Sequence, residues 1–106
     1  MLESAIVAKI RKNMEDRYGV KLHKLHGGAY SETGAPDLFG TLPGGRAMYV
    51  EVKTPATIKV MNKRRKYQDA WLASEEKQGA FTAVIASWPD LLIALMGEGI
   101  YPQKEG

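Results

Sequence analysis

Gly34-Ala35-Pro36-Asp37-Leu38-Phe39-Gly40, then the turn Pro43-Gly44-Gly45, then Ala47-Met48-Tyr49-Val50-Glu51-Val52-Lys53, is the stretch on which the reading of this chain depends. It has the form of two short strands joined by a tight reversal, because Pro and Gly supply the backbone angles a hairpin turn needs. Side chains alternate across a strand. Met48, Val50 and Val52 therefore share one face, and Tyr49, Glu51 and Lys53 share the other. The apolar face belongs to a core and the polar face is free for chemistry. The register decides whether Asp37 joins Glu51 and Lys53. A loop over Pro43 to Gly45 sets Asp37 opposite Glu51, whereas a Gly44-Gly45 loop sets it opposite Val52. We expect the first register, or a bulge with the same effect, since only that brings the carboxylates together.

Two adjacent carboxylates in a half-buried site repel, and the relief is a raised pKa or a bound cation. Hard oxygen ligands suit Mg2+ or Mn2+, which keep several waters for phosphate oxygens. Lys53 on the same face would place positive charge where a phosphate gathers negative charge in a transition state, or would help handle the attacking water. Taken alone, Glu-x-Lys on a strand is also the pattern of a solvated charged face. The preceding Pro36-Asp37 at hairpin spacing favours the chemical reading.

These residues resemble a known family. Pro36-Asp37 followed by Glu51-Val52-Lys53 is similar to the motif of the PD-(D/E)xK nuclease superfamily. Gly34-x-Pro36-Asp37-Leu38, Tyr49-Val50-Glu51-Val52-Lys53 and the later Gln68-x-x-Trp71-Leu72 resemble the VRR-NUC (virus-type replication-repair nuclease) domain, over roughly residues 3 to 86. The resemblance implies a restriction-endonuclease-like α-β-β-β-α-β core, a divalent metal and phosphodiester hydrolysis in DNA. Stand-alone domains of this kind are associated with phages and bacteria and are similar to Holliday-junction resolvases. By the same resemblance an acidic residue on the first helix, here Glu3, joins the metal ligands, and Gln68 helps position the water or the phosphate.

A chain of 106 residues makes one domain, residues 1–106, able to bury roughly 60 to 70% of the surface its unfolded chain exposes. The absence of cysteine excludes disulfides and thiolate metal sites. There is no basic, apolar leader and no apolar run near the ~20 residues that span a bilayer, so a soluble protein of the cytoplasm, bacterial or of a phage-infected host, with no membrane partner, is expected. Fifteen Lys and Arg against twelve Asp and Glu leave a net charge of +3, a basic excess that permits an anionic partner without demanding one.

Outward from the central stretch, Val7, Ile10, Met14 and Tyr18, with Ile6 beside them, recur at helical spacing and predict a helix from Leu2 to about Tyr18, stopped by Gly19. Glu3 lies at the end of that stripe; it either points inward as a ligand or complements the helix dipole. Val20 to His26 reads as a first strand. His23 and His26 fall on opposite faces of it, so they cannot chelate one ion together. Gly27 to Gly34 is a loop whose Tyr30, Ser31 and Thr33 are candidates to touch a phosphate or a sugar.

Asn62 to about Gln78 reads as a second long helix, with Tyr67, Ala70, Trp71 and Ser74 as its inward stripe and Gln68 at the stripe's edge. Lys59, Lys63, Arg64, Arg65 and Lys66 cluster at its start. Cations there oppose the macrodipole, an arrangement that a polyanion would reward. If these side chains met phosphates, log affinity would fall with log salt by roughly 0.9 per phosphate neutralised. Ala80 to Ala86 is an apolar strand, and Ser87-Trp88-Pro89-Asp90 opens an apolar helix through a capping box. That helix finishes the core or meets a second subunit.

The expected architecture is α/β, a central mixed sheet of about four strands with helices on both sides. The expected chemistry is Mg2+- or Mn2+-dependent DNA hydrolysis: Asp37, Glu51, the Val52 carbonyl and Glu3 at the metal, Lys53 and Gln68 at the water and phosphate, and the basic cluster on the backbone. With no base-reading motif, recognition by shape is expected, with branched DNA as the substrate and a two-fold dimer matching its two equivalent strands. A restriction-type endonuclease, a catalytically silent DNA-binding module and a protein-interaction domain using residues 91–96 are the competing readings.

Overall fold

The computed structural model describes residues 2–25 and 34–103. Helix α1 (Glu3–Asn13) runs on into a π-helical turn, Met14–Tyr18, and the strands are β1 (His23–Lys24), β2 (Leu38–Thr41) and β3 (Ala47–Val52). Helix α2 (Lys63–Lys77), strand β4 (Phe81–Ile85) and helix α3 (Trp88–Gly97) complete the chain. The sheet has the order β1-β2-β3-β4; β1–β2 and β2–β3 are antiparallel and β3–β4 is parallel. The expected mixed four-stranded sheet flanked by helices is what forms.

The apolar face of the hairpin builds the core. Leu38, Met48, Val50, Val52 and Phe81 are wholly buried, under α1 and α3, which pack on each other and on this face of the sheet. Ile6, Val7, Ile10, Met14 and Tyr18 are the buried stripe of the first helix, at the spacing its sequence predicts. Gly19 then closes it with φ 66°, a left-handed conformation that glycine adopts without strain.

The first strand is shorter than its sequence suggests. Only His23 and Lys24 pair with β2, while Val20 and Leu22 drop into the core. Residues 20–22 run close to Gly40, where a Cβ would lie 2.9 Å from Leu22 Cδ2 and 3.2 Å from the Lys21 carbonyl oxygen. His26 lies outside the described residues; His23 is exposed and rests against the Phe39 ring, centroids 5.3 Å apart.

Helix α2 covers the opposite, polar face of β3 and β4, and its orientation corrects the expected stripe. Tyr67 is 46% exposed, Ala70 and Ser74 are exposed, and Trp71 is half-buried, edge-on to Tyr49 at 5.0 Å. Gln68 and Leu72 are the buried positions. The inward stripe is thus displaced by one position, about 100° of helix rotation. A polar group holds the inward face: Gln68 is bound to Glu51 of the sheet, a partner that hydrophobic periodicity cannot register. At the far end, the Ser87 side chain caps α3 by accepting from the Asp90 N–H, while Asp90 Oδ2 accepts from the Ala86 N–H.

Candidate active site

The hairpin turn fixes everything that follows. Leu42 N–H donates to the Arg46 carbonyl at 2.8 Å, Gly45 N–H donates to the Leu42 carbonyl at 3.0 Å, and Gly44 and Gly45 take φ of 95° and 96°. Pro43 to Gly45 is therefore the loop, and the ladder pairs Leu38 with Val50 and Phe39 with Tyr49. One step further sets Asp37 against Glu51.

At that step the two side chains take over from the backbone ladder. Asp37 N–H donates to Glu51 Oε1 at 3.1 Å, and Val52 N–H donates to Asp37 Oδ2 at 2.8 Å. Each carboxylate is thus held by the neighbouring strand's main chain, which fixes both rotamers. Glu51 Oε2 receives two further contacts, from Gln68 Nε2 at 2.8 Å and Lys53 Nζ at 3.1 Å.

Glu51 is only 3% exposed. Burial, and then the nearby Asp37 charge, push its carboxyl up to about 7, against the pull of Lys53 in the other direction. Lys53 offsets only part of the repulsion between this buried acid and Asp37, and a bound cation would relieve the rest. Behind Glu51 the Gln68 side chain is buried too, and its Oε1 has no hydrogen-bond partner among the described residues.

The cleft in front of the pair has a volume of about 310 Å3. Glu3, Asp37, Glu51 and Lys53 line it, together with Arg64 and Arg65 from the start of α2. Gln68 stands behind Glu51, and the Val52 side chain is wholly buried on the core face, with its N–H engaged by Asp37. Lys59, Lys63 and Lys66 are exposed on the same segment, with Lys63 Nζ 5.8 Å from the Tyr67 ring centre. Ser31 and Thr33 lie outside the described residues.

Arg65 is not a free cation. Its Nη1 donates to the Ile58 carbonyl at 2.7 Å and its Nε pairs with Asp69 Oδ1 at 2.9 Å. Thr57 and Asn62 also line the cleft, and neither stands out as a site residue in the sequence. Their signal is nonetheless there, since Thr54-x-x-Thr57 can close on itself and Asn62 is a helix cap.

Chemically, the cleft offers hard oxygen donors from Asp37 and Glu51, with an amine beside them. The donor set fits a hard divalent cation better than a soft one. Among the described residues no three His, Cys, Asp or Glu side chains converge closely enough to form a metal cluster by themselves. A main-chain carbonyl, water and substrate oxygens would have to complete the coordination, the usual habit of Mg2+.

No family model and no curated protein matches this sequence. A solved structure titled "VRR_NUC domain" does: the match covers 90% of this chain and 94% of that one, at 26% identity and a TM-score of 0.67. The likeness is one of fold, and it is on this sheet that Asp37, Glu51 and Lys53 come together in the present chain. On these grounds the chain is similar to a VRR-NUC domain in fold, over nearly its whole length.

Proposed function

We propose that this protein is a divalent-metal-dependent endonuclease that hydrolyses phosphodiester bonds in DNA, with a preference for branched forms such as Holliday junctions. The observation that carries the reading is the locked pair of Asp37 and Glu51 with Lys53 against it, at the floor of a cleft bordered by cations.

In this reading Asp37, Glu51 and the Val52 carbonyl would hold Mg2+ or Mn2+, and Glu3 at the cleft wall would join as a ligand through a bridging water. When bound, such an ion would supply positive charge for the phosphate oxygens and favour ionisation of the attacking water. Lys53 Nζ places a proton donor beside the reacting phosphate and neutralises part of the charge that builds there. Gln68 Nε2 holds Glu51 in orientation, and its spare acceptor Oε1 can accept a hydrogen bond from a water. Arg64, Lys59, Lys63 and Lys66 meet the phosphates of the backbone, with Ser31 and Thr33 as further contacts. Arg65 adds to the positive field of the cleft while it braces the loop before α2.

No helix among the described residues is long and apolar enough to cross a membrane, and we place the protein in the cytoplasm of a bacterial or phage-infected cell. A two-fold dimer would match the two equivalent strands of a junction. Sedimentation across a range of concentrations tests this, and a monomer throughout would remove it.

The deciding experiment incubates labelled junction, flap, single-stranded and duplex DNA with the protein and each cation, beside Asp37→Asn and Lys53→Ala. Cleavage by the wild type alone is expected. DNA that is bound but left intact in both ions would identify a silent binding module, and sequence-restricted cutting of plain duplex would identify a restriction-type enzyme.

A further inference from the structure

Between the lysine of the metal motif and helix α2, the segment Thr54 to Asn62 is tied down by its own bonds. Thr54 and Thr57 bond reciprocally, with Thr54 N–H donating to Thr57 Oγ1 at 2.9 Å and Thr57 N–H donating to Thr54 Oγ1 at 3.1 Å. Ile58 N–H donates to the Thr54 carbonyl at 2.9 Å and Val60 N–H to the Thr57 carbonyl at 3.0 Å. Arg65 clamps the loop from the helix through the Ile58 carbonyl, and Asn62 Oδ1 accepts from the Arg65 N–H.

This braced loop presents two apolar side chains to water. Val60 is 48% exposed and Met61 62% exposed, and Val60 forms part of the wall of the cleft that contains Asp37 and Glu51. Exposed Lys59 precedes them in the chain and exposed Lys63 and Arg64 follow, with Arg64 lining the same cleft as Val60. Single exposed apolar residues need no explanation. An adjacent pair at the edge of the cleft, between cations and on a loop already fixed, has a specific use. The cations match phosphates, and apolar side chains between phosphate contacts enter base steps and unstack them.

We infer that Val60 and Met61 form a wedge that enters an opened base step of the DNA next to the scissile phosphate, and so select branched over intact duplex. The inference rests on the nuclease reading above and adds to it the residues that discriminate substrate structure. In an intact duplex the wedge must break a stacked step. At a junction, flap or nick the step is already partly open, so the same insertion costs less there. Because the loop is pre-ordered, little binding energy is consumed in fixing it.

The test uses flap DNA and intact duplex carrying 2-aminopurine at the branch point or its equivalent, bound in EDTA so that the backbone stays whole. Fluorescence should rise when the wild type binds the flap. Val60→Ser with Met61→Ser should abolish that rise, and in Mn2+ its ratio of kcat/KM for flap over duplex should fall by about tenfold, within the cost of unstacking one base step. Val60→Leu with Met61→Leu, which keeps apolar bulk, should retain both signals.

A serine variant with the wild-type rise and ratio would overturn the wedge and leave the patch to a protein partner. Wild-type binding without any rise would overturn it as well. If the wild type cuts nothing while the rise still depends on Val60 and Met61, the nuclease reading fails and the wedge stands. Flap cutting that the serine variant matches in full leaves the nuclease reading and removes the wedge.

Discussion

Glu51 is the residue whose surroundings say most about what the site can do. Its carboxyl sits at about 7 when folded, against an ordinary value of 4.5, so the folded protein favours the protonated form. That contribution to stability is present in full below about pH 4.5 and is lost as the pH rises through 7. We expect the metal-free protein to lose on the order of 2 kcal/mol between these limits, after allowance for solvent at the cleft. Urea melts in EDTA at pH 5 and pH 8 measure it, and Glu51→Gln should flatten the difference. A divalent ion should restore stability at pH 8, and its binding should release a proton near neutral pH, which calorimetry in buffers of different ionisation heat would detect. Lys53 pulls the Glu51 carboxyl down, so Lys53→Met should send it above 7; an NMR titration that leaves it in place would mean that the 3.1 Å contact is not maintained in solution.

Among the elements, the approach of the segment before β2 to α2 is the most exacting. Gly34 has φ 89°, and a Cβ there would lie 2.6 Å from the Tyr67 carbonyl oxygen and 3.1 Å from the Gln68 nitrogen. The segment that leads to Asp37 therefore rests on the helix backbone at the residue that holds Glu51. Gly34→Ala combines a strained backbone with a clash against main chain, and should cost about 1–3 kcal/mol or more and weaken the bond from Gln68 to Glu51. Thermal melts and the Glu51 titration would report the two effects separately. Arg65 is the second connection. Arg65→Ala removes the clamp on Ile58 and should destabilise by about 1–3 kcal/mol, with faster hydrogen exchange over residues 54–62. Equal exchange in the variant would show that the Thr54 and Thr57 bonds suffice. Hydrophobic periodicity misplaced α2 for a related reason. Its inward face carries Gln68 beside Leu72 and the largely covered Arg65, polar residues whose partners lie on other elements.

Across the whole molecule the net charge of +3 is small, yet the cations near α2 are gathered on one side of the cleft. Replacing Arg64 and Lys66 by Ala should reduce the slope of log DNA affinity against log salt by roughly 0.9 for each phosphate no longer neutralised. An unchanged slope would place the DNA elsewhere. The later three strands, the apolar stripe of the first helix and the hairpin register were legible in the chain, because alternation, spacing and a Pro-Gly-Gly turn are local properties. So was the grouping of Asp37, Glu51 and Lys53, which depends only on that turn and its register. The shortening of the first strand was not legible, and there residues 20–22 run close to Gly40 of another strand. Nor was the work of Gln68 or Arg65, or the exposure of Val60 and Met61. Those are decided by which elements meet, and by buried polar groups finding partners far along the chain: sequence spacing sets which face a side chain shares, but only packing sets what stands opposite it.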